Sequence, residues 1–210
     1  MTDTKRPHHH GNLREALIVA GLELMEADGP DALSLRKCAG LAGVSHAAPA
    51  HHFNGLISLK AAIVARGHRL ISASMRRASD RAAPAPHAQL NAICEGYILF
   101  ARQHSGVFKF MFQPHNVDMD TLDAETRADL ERETAISYQI LRDACAPFEH
   151  RETGNIGTEI MIWSLVHGYA MLFGDTHGNP SPHMAIPDFS QIIPKLRQNP
   201  ETRGTPDKPK

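Results

Sequence analysis

The chain has 210 residues, of which 42% are hydrophobic and 21% are charged, with a formal net charge of −1. This composition is ordinary for a globular protein and excludes disordered, collagen-like and low-complexity chains. Cys38, Cys94 and Cys145 lie far apart without a C-x-x-C pair. An odd number of scattered cysteines favours a reducing cytoplasm over a disulfide framework.

The charge is unevenly distributed. Residues 1–79 hold 10 Lys and Arg against 6 Asp and Glu, whereas residues 80–210 hold 12 against 17. A basic module on a larger acidic one is typical of a polyanion-binding protein, although an unevenly charged surface gives the same numbers. The amino end has no apolar core of a signal peptide, and the apolar run 160–173 is shorter than the roughly 18 residues that span a bilayer. We expect a soluble, cytoplasmic protein without a membrane partner.

The amino-terminal part predicts a first helix over about residues 12–27. Apolar residues recur there at three- and four-residue spacing, as on a helix face turned to a core. They are Leu13, Leu17, Ala20, Leu24 and Met25. Asn12 and Glu15 have the spacing of a capping box, and Gly29 followed by Pro30 ends the helix.

A helix-turn-helix is predicted over about residues 33–53. Ser34 is a good N-cap for a second helix, and Gly43 closes that helix after little more than two turns. Ser45 restarts the chain. Because proline is tolerated at the first position of a helix, we expect a regular third helix to begin around Ala48–Pro49. In such motifs the second helix of the pair enters the major groove of DNA.

The remaining sequence predicts further helices and no strands. Their ranges are 56–81, 89–103, 106–112, 121–146 and 156–174, followed by a modest apolar stretch at 189–196. We therefore expect an all-α fold with a helix-turn-helix domain at 9–70, a larger helical ligand-binding and dimerisation domain at 71–198, and a disordered tail at 199–210.

The stretch from His9 to Ile63, HHGNLREALIVAGLELMEADGPDALSLRKCAGLAGVSHAAPAHHFNGLISLKAAI, strongly resembles the DNA-binding domain of the tetracycline-repressor (TetR/AcrR) family. The segment WSLVHG at 163–168 resembles the Trp…His-Gly (WHG-type) signature in the carboxy-terminal regulatory domain of one branch of that family. The resemblance implies an all-helical homodimer, in which three amino-terminal helices bind DNA and the remainder binds a small molecule and dimerises.

The resemblance also implies which residues face DNA. Serine hydroxyls suit phosphate, and arginine suits phosphate or guanine. The implied set is Arg14, Ser34, Arg36, Ser45, His46, Ala47, Ala48, His51, His52 and Lys60. Two positions depart from the family, because Ala50 and Leu56 stand where a tyrosine and a lysine usually contact phosphate. A histidine contact would make DNA binding tighter as the pH falls towards about 6, whereas histidines that only pack or lie exposed would not.

Aromatic residues and methionines of the carboxy-terminal part are candidates for the wall of a ligand pocket, with a plain hydrophobic core as the alternative. The candidate ligand-binding residues are Phe100, Phe108, Met111, Phe112, Tyr138, Trp163 and His167. His167 lies one helical turn after Trp163 and could bind an inducer or be a satisfied buried histidine. The small Ser164 and Gly168 suit a subunit interface.

Two other classes of protein are alternatives to a DNA-binding regulator. An enzyme is disfavoured, since H-E-x-x-H, G-x-S-x-G, P-loop and dinucleotide-binding motifs are absent from the sequence. We expect no cofactor and no metal site, with the His8–His10 run as a solvated or phosphate-facing arm. An interaction protein that lost DNA binding is the second alternative, favoured by Ala50 and Leu56. The main prediction is a dimeric repressor that binds a partly palindromic operator in double-stranded DNA and is released by a small apolar or amphipathic inducer.

Overall fold

The computed structural model describes residues 13–113, 117–148, 155–174 and 186–199. Within these ranges the chain forms eight α-helices and no strand, apart from an isolated bridge between Phe148 and Gln198. The helices are α1 (Leu13–Asp28), α2 (Leu35–Leu41), α3 (Gly55–Ser79), α4 (Pro86–Gln103), α5 (Ser105–Met111), α6 (Ala124–Cys145), α7 (Asn155–Phe173) and α8 (Phe189–Ile192). The all-α prediction is confirmed.

The head of the molecule consists of α1, α2 and the first half of α3. Ser34 caps α2, because its Oγ accepts a hydrogen bond from the backbone N–H of Lys37 at 3.2 Å. Gly43 ends the following turn with a φ of 68°, a conformation that favours glycine. The predicted cap and turn are confirmed. Asn12, the expected cap of α1, lies outside the described residues, while Glu15 forms an ion pair with Arg66 of α3.

The prediction of a regular third helix is wrong. Residues Ala48–His51 form a single 3₁₀ turn, in which His52 N–H donates to the carbonyl of Pro49 at 3.0 Å. Pro49 lies at the start of this turn, where the missing N–H is tolerated, so the length of the turn is set by the residues that follow it. Phe53 is then buried and Gly55, with a φ of 81°, redirects the chain into α3. The buried Phe53 and the change of direction at Gly55 leave few residues for a helix, and these residues complete one 3₁₀ turn only.

The helix α3 belongs to both parts of the molecule. Its first half packs against α1 in the head, and its second half packs against α4 and α6 in the body. The expected domain boundary at residue 70 therefore falls inside one continuous helix. Ser74 donates a hydrogen bond to the carbonyl of Gly96 at 2.7 Å, and Gly96 lies directly against the backbone of Met75. This contact brings α3 and α4 unusually close together.

The carboxy-terminal segment 186–199 lies against the body. Phe189 of α8 is buried and packs edge-on against Tyr169, with 5.3 Å between ring centroids. The helix is shorter than the apolar stretch at 189–196 suggested, because Pro194 cannot continue it. Asn199 N–H donates to the carbonyl of Pro147 at 2.8 Å, so the expected disordered tail does not begin at residue 199. Residues 200–210 lie outside the described ranges.

The close approach of α3 and α4 is tested by Gly96→Ala. A Cβ at this position would come within 2.7 Å of the Met75 Cα, which is backbone and cannot move aside without separating the helices. We expect a loss of about 1–3 kcal/mol, seen as a fall of several degrees in the melting temperature measured by circular dichroism. Gly40→Ala is the control, since Gly40 is a helical glycine with open space around it and should tolerate or favour alanine. Equal melting temperatures for the Gly96→Ala protein and wild type would contradict this account.

Candidate functional site

An exposed turn forms the outer surface of the head. Ser45, His46 and Ala47 precede the 3₁₀ turn, and His51 and His52 follow its proline. All five are exposed, whereas Pro49 and Phe53 are buried beneath them. Ala48 is half-buried, and Ala50, between the buried Pro49 and Phe53, is exposed. The structure thus brings the central group of predicted DNA-facing residues together on one surface, which we call the head turn (residues 45–52).

The other predicted DNA-facing residues occupy different environments. Arg36 is exposed on α2, and Ser34 uses its hydroxyl to cap that helix. The Arg14 guanidinium lies over the ring of Phe53, 5.4 Å from its centroid, and therefore supports the head turn from behind. The Lys60 Nζ lies 5.8 Å from the centroid of the Phe110 ring, so this lysine is engaged with α5 rather than gathered into the head turn.

A partly open cavity of about 770 Å³ lies in the body, lined by residues of α3, α4, α5, α6, α7 and the segment before α6. Most of its wall is apolar, which suits a drug-sized apolar ligand. The wall is formed by Val64, His68, Ile71, Met75, Tyr97, Met111, Phe112, Val117, Met119, Leu130, Glu131, Thr134, Ala135, Ser137, Tyr138, Leu141, Ile160 and Trp163.

Four of the predicted ligand-binding residues lie in this wall: Met111, Phe112, Tyr138 and Trp163. Three others do not. Phe100 and Phe108 are only 1% and 2% exposed and belong to the core behind the wall. His167 stands one layer back, with its Nδ1 2.9 Å from the Tyr97 hydroxyl. Burial lowers the pKa of His167, which favours the neutral imidazole in this contact.

Sequence reasoning missed the main polar residue of the cavity, His68. Its Nδ1 lies 2.8 Å from the Ser137 Oγ, across the packing of α3 on α6. The signal was present, because Val64, His68, Ile71 and Met75 recur at spacings of four, three and four residues and so share one face of α3. That face was treated only as core.

A layer of ion pairs neutralises the basic groups beside the cavity. Arg69 of α3 binds Asp129 at 2.5 Å and Glu133 at 3.1 Å, both on α6. Arg132 pairs with the same two carboxylates. On the other side, the Tyr138 hydroxyl donates to Glu159 at 2.8 Å, and this bond to a carboxylate raises the pKa of the tyrosine. These side chains fix α3, α6 and α7 relative to one another.

The short helix α5 connects the head with the cavity. At its start, Gly106 N–H and Val107 N–H donate to the two carboxylate oxygens of Glu26 in α1, at 3.1 and 3.2 Å. Gly106 itself lies against the Met25 backbone, where a Cβ would clash. The other end of α5 reaches the cavity wall at Met111. The helix α5 thus contacts the last turn of α1 at one end and the cavity wall at the other.

These features define a class of two-part helical protein, in which a small head with an exposed turn is joined by a continuous helix to a body that holds an apolar cavity. Residues 90–185 match the family model described as the tetracyclin repressor-like, C-terminal domain. This segment of the chain is therefore similar to the carboxy-terminal domain of tetracycline-repressor-like proteins. None of the curated proteins matches the chain.

Solved structures share the fold of this chain. The chain is 26% identical to a protein of unknown function from Rhodococcus sp. RHA1, with a TM-score of 0.63, covering 90% of this chain and 93% of that one. A tetR-family transcriptional regulator from Streptomyces coelicolor is 20% identical, with a TM-score of 0.57 and coverage of 85% and 74%. AibR, solved in complex with isovaleryl coenzyme A and operator DNA, is 18% identical, with a TM-score of 0.56 and coverage of 85% and 92%. At 20% and 18% identity, the similarity to the last two structures shows the fold alone.

The role of Glu26 in holding α5 is tested by Glu26→Gln. The amide keeps the length of the side chain but removes the charge that strengthens its hydrogen bonds to the two backbone N–H groups. We expect faster hydrogen exchange in peptides covering α5, measured by mass spectrometry, with a melting temperature lowered by a few degrees. Glu23→Gln, on an exposed face of the same helix, is the control and should leave exchange in α5 unchanged. Identical exchange in both variants would show that the carboxylate does not hold α5.

Proposed function

We propose that this protein is a DNA-binding transcriptional repressor whose affinity for its operator falls when a small molecule occupies the cavity. The observation that carries this proposal is the position of α5, with Glu26 of the head at one end and Met111 of the cavity wall at the other. A structural relative, AibR, was solved with both operator DNA and an acyl-coenzyme A, which supports a repressor of the same two-partner kind.

The DNA-binding surface would be centred on the head turn. Ser45, His46, His51 and His52 offer donors for phosphate oxygens, and the small Ala47 and Ala48 allow the backbone to approach the groove. Arg36 reaches out from α2, next to the capped N-terminus that Ser34 provides. Arg14 and Lys60 act from behind this surface through their contacts with Phe53 and Phe110.

Two departures from the usual family sequence should weaken the electrostatic contribution to DNA binding. Ala50 is exposed but has no polar group, and Leu56 is half-buried against the core. Neither can bind phosphate. Fewer phosphate contacts release fewer counterions, so the salt dependence of binding should be shallower than for a protein with both anchors.

The proposed subunit interface lies on α7. Outside the cavity wall, this helix exposes the large apolar side chains of Ile156, Met171 and Leu172. Its segment Ile156–Phe173 is long and apolar enough to cross a membrane by length and composition, so the sequence-based limit of 160–173 was too short. The core helix of a soluble protein passes the same test, and we assign the exposed face to a second copy of the chain. Gly168, with open space above it, would allow the partner helix to approach closely.

A dimer would place two head turns in successive major grooves, about 34–36 Å apart, on a partly palindromic operator. A ligand in the cavity would press on Met111 and move α5, and with it the head. Such a ligand shifts the equilibrium only by its difference in affinity for the two arrangements of the heads. In this proposal residues 9–70 form the DNA-binding domain and 71–198 the effector and dimerisation domain of a cytoplasmic, non-enzymatic regulator.

DNA binding is tested with purified full-length protein and sheared genomic DNA at modest salt, followed by sequencing of the captured fragments. We expect enrichment of a short palindrome, whose affinity falls with rising salt. Arg36→Ala should weaken binding to the best fragment at least about fivefold, since an arginine contact to DNA contributes roughly 1–3 kcal/mol. Arg102→Ala removes an exposed arginine of the body and is the matched control.

Failure to enrich any sequence at any salt concentration would contradict DNA binding. Ala50 and Leu56 would then be decisive, and an interaction protein on the same fold would be the better description. Equal losses in the Arg36→Ala and Arg102→Ala proteins would show that Arg36 of α2 makes no specific contact with DNA.

The subunit interface is tested by Leu172→Glu. Leu172 is 69% exposed in the single chain, so the substitution should fold normally but place a carboxylate in the apolar contact between copies. We expect a shift from dimer to monomer by light scattering, together with the loss of palindrome binding. Leu41→Glu makes the same change at an exposed leucine of the head, 56% accessible, and should remain a dimer. A dimeric Leu172→Glu protein would exclude this face of α7.

A further inference from the structure

The protonation of His68 is fixed by its hydrogen-bond network. Its Nδ1 lies 2.8 Å from the Ser137 Oγ, and the same Oγ donates to the carbonyl of Thr134 at 2.8 Å. A serine hydroxyl has one proton, which is used in the bond to Thr134. With the hydroxyl proton in that bond, Ser137 accepts from His68, and this arrangement favours the tautomer with its proton on Nδ1. The Nε2 atom of His68 consequently bears a lone pair and acts as an acceptor.

This acceptor is buried in the cavity wall. His68 is 8% exposed, and burial lowers its pKa to about 4 against the opposing charge of Glu133, so the ring is neutral at cytoplasmic pH. In the described part of the chain, Nδ1 of His68 is bonded to Ser137, and no hydrogen bond joins Nε2 to another described residue. Its neighbours in the wall include Ile71 and Phe112, which cannot donate. A buried acceptor facing an apolar space is stabilised by a ligand that supplies a donor.

The charges of the wall select against anions. Among the described residues that line the cavity, Glu131 is charged and no lysine or arginine is present. The nearby Arg69 and Arg132 are held by Asp129 and Glu133 on α6. A carboxylate or phosphate group in this cavity would lose its hydration without gaining a cationic partner, which is strongly unfavourable.

We propose, on the basis of the function proposed above, that the effector is a lipophilic molecule without an anionic group, whose hydroxyl or amide N–H donates a hydrogen bond to Nε2 of His68. The apolar remainder of the molecule contacts the aromatic and aliphatic wall. This chemistry differs from that of the isovaleryl coenzyme A bound by AibR, because coenzyme A carries phosphate groups.

Three probes of eight carbons each separate the possibilities: n-octanol, its isomer heptyl methyl ether, and octanoate. The chain has one tryptophan, Trp163, and it lies in the cavity wall, so its fluorescence reports occupancy directly. We expect octanol to bind about three- to tenfold more tightly than the ether, which accepts but cannot donate, as one net hydrogen bond requires. Octanoate should bind at least about tenfold more weakly than octanol.

The variant His68→Phe keeps a ring of similar size but removes the acceptor. It should abolish the preference for octanol over the ether and leave the affinity for the ether within about twofold of wild type. Ser137→Ala frees the His68 tautomer without removing the ring, and should reduce the preference partially. Ser72→Ala alters another buried serine of α3, outside the cavity wall, and should keep the full preference.

Equal affinities for octanol and the ether in wild type, tightest binding of octanoate, an unchanged preference in the His68→Phe protein, or no binding of any probe would each overturn this assignment. The genomic capture experiment is independent of these titrations. An enriched operator together with any of these results would reject the effector class alone, whereas a clear octanol preference without an operator would reject DNA binding alone.

Discussion

The packing of α3 is the constraint on which the rest of the molecule depends. This helix of 25 residues has fully buried side chains in both parts, with Leu59 and Ile63 towards the head and Ile71 and Met75 towards the body. One continuous hydrogen-bonded helix cannot bend easily between its ends, so the head and the body share an axis. The contact of Gly96 with the Met75 backbone anchors the body to α3 at close range. Movement of the head relative to the cavity must therefore arise where packing is less extensive.

The sequence predicted the helices and their caps well, because these depend on local chemistry. The cap at Ser34, the turn at Gly43 and the order of the helices all follow from spacing and residue type. The head turn was harder to predict, since its length is set by the burial of Phe53 and by the change of direction at Gly55. Local propensity favoured a helix there, and the space available between two tertiary constraints allowed one 3₁₀ turn.

The cavity was predicted only in part, and the reason differs from the one for the head turn. Spacing shows that a residue lies on a buried face, but not whether that face meets another side chain or an open space. Phe108 and Phe112 lie four residues apart, yet Phe108 is core and Phe112 is wall. The role of His68 could not be predicted from spacing, because it depends on a contact with Ser137, which is 69 residues away in the chain. Such a contact depends on how α6 packs on α3.

The tightness of two glycine contacts explains why the cavity and the head are coupled through α5. Met111 packs against Gly67 of α3, where even a Cβ would collide with its sulfur, so the methionine has no room to retreat towards α3. At the other end, Gly106 is in equally close contact with the Met25 backbone, and the Glu26 carboxylate holds the adjacent N–H groups. Volume added beside Met111 is therefore not absorbed by side-chain rearrangement at either end. In the proposed mechanism, such volume displaces α5 and with it the end of α1, and an effector in the body thereby changes the position of the head turn.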